Sequence, residues 1–262
     1  METFRIRDVG GRSCIEDFSP AYRTFGKAVA VETAIPMTAF WMTRGTRVDT
    51  TWQRAPQRQL VVVLSGQVTI KAGDGSMRTA GPGDLILEDD PSGQGHMEID
   101  EDEVWRLLIA TPGWEPQAGR SELPRADPRV RSGRPLMNRM YDDNGLSRTE
   151  PFDWPGIGPA APPVEQWPKS EGGFLSRAIY PAEGTDGAWH QGPRRQIAVT
   201  VSGSGENETG DGTRTRPQRG DLVLVEDTTG QGHISRGYGD RRLLFVTVAD
   251  SYLQRNGVPA SR

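Results

Sequence analysis

The 262-residue sequence predicts an all-β chain made of two tandem barrels. Three observations point there. The chain contains part of itself twice at a near-constant spacing. Glycine and proline together supply 52 residues (32 + 20), which suits many short strands and tight turns better than long helices. In each copy, short β-branched-rich runs end at Ser-Gly or Gly-Asp turns, and no apolar stripe of 3.6-residue period reaches useful length.

The repeat is explicit. Residues 52–96 align with 189–233 at an offset of 137 without a gap, and 19 of the 45 positions are identical. Trp52, Pro56, Arg58 and Gln59 match Trp189, Pro193, Arg195 and Gln196. Ser65-Gly66 matches Ser202-Gly203, Gly83-Asp84-Leu85 matches Gly220-Asp221-Leu222, and Gly93-Gln94-Gly95-His96 matches Gly230-Gln231-Gly232-His233. The match extends to Arg106-Leu107-Leu108 with Arg242-Leu243-Leu244, and to Gly11-x-Ser13 with Gly145-x-Ser147. A duplicated domain follows, with an N-terminal barrel over 1–111, a Pro/Arg/Gly-rich connector over 112–136 and a C-terminal barrel over 137–262.

Element by element, Gln59–Leu64 and Gln196–Val201 are apolar strands closed by Ser-Gly. Gln67–Lys71 precedes Ala-Gly-Asp-Gly, a hairpin turn signal. Leu85–Leu87 and Leu222–Val225 follow the Gly-Asp turns, and Val104–Ala110 and Arg241–Val248 follow the histidines. Even spacing of short strands and Gly turns is the signature of a sandwich or barrel.

Composition narrows the function. The net charge of −4 gives no electrostatic drive toward nucleic acid. No apolar run approaches the roughly 20 residues that span a bilayer. The N-terminus METFRIRDVGG lacks a signal peptide's apolar core. The single Cys14 precludes an internal disulfide framework, which fits a reducing cytoplasm. The expected partner is a small-molecule ligand or substrate, with no nucleic acid and no membrane, in a chain that can form a homodimer.

The residues that carry chemistry are few. The chain has three histidines, His96, His190 and His233. Around them the C-terminal copy reads Gly184-x5-His190-x-Gly192-x3-Gln196-x6-Gly203, then Thr228-x-Gly230-x2-His233. These segments resemble the two motifs of the cupin family, G-x5-H-x-H-x3–4-E-x6-G and G-x5-P-x-G-x2-H-x3-N. Both copies carry the resemblance, so the whole chain looks like a bicupin of two jelly-roll barrels. The family's metal site uses three His and one Glu. Here those columns read His190, Gly192, Gln196 and His233 in the C-terminal copy, and Gln53, Ala55, Gln59 and His96 in the N-terminal copy.

The resemblance implies a divalent transition metal (Zn, Fe, Mn or Ni) on His190, His233 and Gln196 in the C-terminal barrel and none in the N-terminal barrel. A metal-free, hydrogen-bonded pocket of the same residues stays open beside it, because a neutral Gln does not offset a metal's charge. In that pocket His190, Gln196 and His233 are the candidate catalytic residues, an imidazole serving as acid or base and an amide stabilising an oxyanion. Strand parity places Ala198 and Thr200 on the inner face with Gln196, as substrate-binding positions, and turns Arg195, Ile197 and Val199 away. Gln53, Gln59 and His96 are the corresponding substrate-binding candidates of the N-terminal copy. Asp227 and Asp90 stand six residues before the last histidine of each copy, where a solvated turn is preferred over a role in orienting the imidazole. Trp52 and Trp189 are expected in packing between sheets or lobes, with a place in the pocket wall as the alternative.

The expected function is small-molecule isomerase, cyclase or lyase chemistry in the C-terminal barrel. The alternatives are a non-catalytic ligand-binding bicupin and a metal-dependent dioxygenase or decarboxylase.

Overall fold

Gln59–Ser65 carries only aliphatic side chains between its polar ends, and it forms a strand buried along its whole length. Such a run belongs in the interior of a sheet covered on both faces. The computed structural model describes residues 1–20, 23–24, 30–48, 51–119, 133–184 and 187–249, with backbone alone at 23–24 and 30–32. Described residues are almost entirely strand and turn, and the one helical element is a 3-10 turn at Val164–Gln166. The described residues are all-β, as expected. None of the described helices is long and apolar enough to cross a membrane.

Two compact units divide the chain. The first takes Met1–Ala21, Pro36–Pro135 and Gly156–Trp167, and the second takes Tyr22–Ile35, Leu136–Pro155 and Pro168–Arg262. Membership is thus not contiguous. Ala30–Ile35 belongs to the second unit because it pairs antiparallel with Ser170–Ile179. Gly156–Trp167 belongs to the first, where Gly158 bridges Thr43. Residues 120–132 of the expected connector lie outside the described residues.

In the first unit a seven-stranded sheet and a three-stranded sheet share one apolar core. Phe4, Ile6, Val61, Val63 and Ile86 enter it from the larger sheet, and Val68, Ile70 and Ala80 from the smaller. In the second unit one nine-stranded sheet does this work. Its spine is a ribbon of Gln196–Glu208 against Ile234–Val248, paired through register shifts between Thr200 and Ser204. Both strands run longer than their apolar segments predict, because Ser202–Glu208 and Ile234–Asp240 continue the ladder on mostly polar residues and glycine. The N-terminal copy breaks at the same place into Val68–Lys71 with Met97–Asp100 and Gln59–Ser65 with Val104–Ala110. Hydrogen-bonded paths among the described residues are open rather than closed rings.

The conserved pieces of the repeat make the same construction twice. Thr3–Val9 runs parallel to Leu85–Asp89, and Met137–Asp143 runs parallel to Leu222–Glu226. Ser13 Oγ donates to the Gly95 carbonyl and accepts from Gly73 N, and Ser147 Oγ does the same with Gly232 and Gly210. The Gly-x-Ser and Gly-Gln-Gly segments are therefore one tied turn that sets the entry of each final histidine.

Candidate functional site

The site of the second unit starts with a two-residue bridge. His190 N donates to the His233 carbonyl at 3.0 Å, and His233 N returns a bond to the His190 carbonyl at 2.8 Å. Glycine at 232, with φ +74°, lets the chains approach this closely. The two imidazoles then face each other, ring centroids 4.4 Å apart at 54°. His233 is buried, whereas His190 is exposed at the mouth. His233 Nδ1 donates to Asp227 Oδ2 at 2.6 Å, and His190 Nδ1 donates to the Ala188 carbonyl at 3.0 Å. Both bonds engage Nδ1 and leave Nε2 as each neutral ring's proton acceptor.

These rings line a cavity of about 330 Å³. Gln196, Ala198 and Thr200 line it with them, so strand parity and the structure agree on which face looks inward. Arg195 turns away and pairs with Glu226, while Ile197 and Val199 are fully buried. Phe174, Leu243, Phe245, Met140 and Val223 give the wall an apolar body. Asn207, Ser235 and Arg241 also line it. Gln196 Oε1 is buried and makes no hydrogen bond.

Two expectations change. Asp227 does not sit in a solvated turn. It is fully buried and holds His233, as Asp90 holds His96 in the first unit at 2.8 Å. The neighbouring acids take the structural role, Glu226 with Arg139 and Arg195 and Asp89 with Arg5 and Arg58. Trp189, expected in packing, is 41% exposed, because it stands on the solvent side of the turn that delivers His190.

The first unit builds a different chemistry from the same frame. Gln53 bridges His96 as His190 bridges His233. Gln53, Gln59 and His96 line a cavity of about 540 Å³ together with Arg47, Glu88 and Glu98. Ligand atoms of Glu88, His96 and Glu98 all lie within 4.8 Å of one another, close enough to hold a metal ion. No other group of three His, Cys, Asp or Glu among the described residues does so. A metal was expected on His190, His233 and Gln196 of the C-terminal barrel and none in the N-terminal one, whereas this cluster of acids and histidine lies in the first unit. Sequence reasoning missed Glu88 and Glu98 because it followed the family's ligand columns. The usable signal was the inward parity of Glu88 with Ile86 and the substitution of both acids, by Val225 and Ser235, in the other copy.

Charge decides how that cluster behaves. Glu98 accepts from Arg47 at 2.9 Å and lies 3.4 Å from Arg106, which also pairs with Asp100. Burial opposes the Glu98 charge, but the hydrogen bond from His96 and the two guanidinium groups hold its carboxyl well below the usual range. Burial also pushes His96 down, and is outweighed by Asp90, Glu98 and Glu88, which raise it to about 10. Burial above all lifts Glu88 to about 7, with His96 opposing. Arg47, Arg106 and a protonated His96 thus balance Asp90, Glu98 and Asp100 without a metal, and an ion entering here must expel the His96 proton. The C-terminal donors are two imidazoles and one amide oxygen, with no carboxylate among the pocket-lining residues. Neither set reproduces the three-His, one-Glu site of the motif.

No family model matches the chain, and no curated protein sequence does. Solved structures match over most of its length. The cupin 2 conserved barrel domain protein from Leptotrichia buccalis shares 11% identity over 87% of this chain and 92% of its own, at a TM-score of 0.38. YhaK from Escherichia coli shares 15% over 88% and 94%, at 0.31. A mutant salicylate 1,2-dioxygenase from Pseudoaminobacter salicylatoxidans shares 12% over 87% and 72%, at 0.32.

Proposed function

We propose that the chain is a cupin-like, small-molecule enzyme whose second unit performs acid–base chemistry of the isomerase, cyclase or lyase kind. The single observation that carries this is the His233–Asp227 pair. A buried carboxylate fixes one ring nitrogen, and the other is left to take a proton from a ligand in an apolar cavity. Its Nδ1–H bond to Asp227 also stabilises the imidazolium once that proton has arrived. His190, exposed to solvent and 4.4 Å away in ring separation, takes a proton from water on Nε2 and delivers it to another atom of the same ligand, while the proton held by His233 leaves to solvent. Gln196 and Thr200 supply the neutral hydrogen-bonding groups that orient it. None of these steps requires a metal, a membrane or a nucleic acid. The lone cysteine fits a cytoplasmic setting.

The experiment is proton exchange. Incubating the chain in D2O with small oxo- and hydroxyacids, and scoring carbon-bound deuterium by NMR, should reveal exchange. His233→Ala should lower it by about 10²–10⁴-fold. Binding of these acids without exchange would instead indicate a ligand-binding protein and overturn the enzymatic reading.

A second reading attaches to the first unit, on the closeness of Glu88, His96 and Glu98. Bound there, a divalent metal would act as a Lewis acid. Equilibrium dialysis against Zn²⁺ or Mn²⁺ tests it: about one equivalent bound, lost in Glu88→Gln and His96→Asn, supports the site. Uptake unchanged by both substitutions rejects it.

A further inference from the structure

Aligning the two units shows an inversion of charge at their pockets. Glu88, Glu98 and Trp105 of the first correspond to Val225, Ser235 and Arg241 of the second. The acids that line the first cavity have no acidic counterpart in the second, whose lining holds Arg241.

Arg241 is only 6% exposed and lines the C-terminal cavity. Its hydrogen bonds go to neutral oxygens alone, from one terminal nitrogen to Ser235 Oγ at 3.1 Å and to the Arg236 carbonyl at 3.4 Å. Its Nε is buried and makes none. Burial pulls its pKa below the ordinary arginine value, with only Tyr180 opposing and no carboxylate contributing. Other arginines of the same unit are treated differently. Arg139 and Arg195 share Glu226, Arg177 pairs with Asp240, and Arg214, Arg216 and Arg236 occupy Glu206 and Glu208.

The location is built rather than incidental. A Cβ at position 205 would stand 2.3 Å from the guanidinium carbon of Arg241, so Gly205 is the gap through which that side chain passes. A buried cation with no internal counter-ion lowers stability, and a site can retain it when a ligand supplies the missing charge. Guanidinium offers a planar fork that matches a carboxylate. Apolar residues line the same cavity, with Phe174 and Phe245 stacked at 4.7 Å.

We propose that Arg241 recognises a carboxylate, so that the ligand of the C-terminal pocket is a small organic acid with an apolar, ring-sized body. This rests on the second unit's pocket being the working site, and it specifies the substrate class that His233 and His190 would act upon. Arg241 anchors the acid group through a charge-assisted hydrogen bond, leaving the apolar body against the phenylalanines.

Benzoate and benzamide are probes of equal shape and different charge. Titrating each into the full chain, the expectation is benzoate at least tenfold tighter, with the Nε–H resonance of Arg241 moving for benzoate alone. Arg241→Met should erase the preference and unfold at the same temperature as the parent or higher, since it removes an uncompensated charge. Arg241→Lys should keep part of the preference. His233→Ala should keep all of it while losing proton exchange, so failure of the acid–base reading is separable from failure of this one. Equal affinities in the parent chain, no measurable benzoate binding, or a benzoate preference that survives Arg241→Met would each overturn the proposal. The parent comparison needs no variant to fold.

Discussion

A Cβ atom at Gly232 would lie 2.1 Å from the carbonyl oxygen of His190, the acceptor of the bond that joins the two histidine segments. Gly95 stands in the same relation to the Gln53 carbonyl, at 2.0 Å. Gly232→Ala therefore carries two costs, a left-handed backbone and a collision with backbone. Gly212→Ala isolates the first, since Gly212 has φ +81° and open space around it. Chemical denaturation should show a loss of about 1–2 kcal/mol for Gly212→Ala and a clearly larger one for Gly232→Ala. Equal losses would mean that the approach of the two segments does not matter.

Asp227→Asn keeps the shape of the residue that holds His233 and removes its charge. The amide can still accept from Nδ1, but it cannot stabilise the imidazolium formed when Nε2 takes a proton. Exchange in the C-terminal site should fall at least about tenfold with little change in ligand affinity. Asp90→Asn, the same substitution in the first unit, should leave exchange intact. A matching fall in both variants would show that the aspartates act through folding alone.

The frame of the fold was legible because duplication marks it. Identical Ser-Gly, Gly-Asp and Gly-Gln-Gly-His segments recur where both copies need the same turns, and strand parity around Gln196 selected the residues that line one pocket. Pocket chemistry was harder to read, since it lies where the copies differ. Glu88, Glu98 and Arg241 sit at positions that carry no family motif, and only the alignment of Val225, Ser235 and Trp105 against them displays the change. Asp227 was undervalued because five residues of turn separate it from His233 in sequence, whereas the fold closes them to 2.6 Å.

Glu98 is the hub of the first unit's ion network, in contact with Arg47, Arg106 and the His96 ring. Glu98→Gln preserves volume but leaves two guanidinium groups with one carboxylate fewer in a buried setting. The expected loss of stability is about 3–5 kcal/mol, as for breaking one side of a buried pair. Arg214→Gln, whose side chain is 57% exposed and whose partners Glu206 and Glu208 keep Arg236, should cost far less. Thermal unfolding of the three proteins decides it, and a Glu98→Gln chain as stable as the parent would remove the hub role.

His96 gives the network a pH signature. Its folded pKa is raised to about 10 from an ordinary 6.5, so its contribution is complete below pH 6.5 and disappears as pH climbs through 10. Glu88 acts in the same sense over a lower window. Raised to about 7 from 4.5, it favours the folded chain when protonated, and that contribution is lost between pH 4.5 and 7. Above pH 7 the histidine alone remains, worth on the order of a few kcal/mol. Chelator-treated protein should therefore lose thermal stability steadily from pH 7 to pH 10, and His96→Asn should lose much less over the same interval. A parent melting temperature that stays level or rises across that range would show His96 to be neutral in the folded state, leaving the carboxylates around it without their cation.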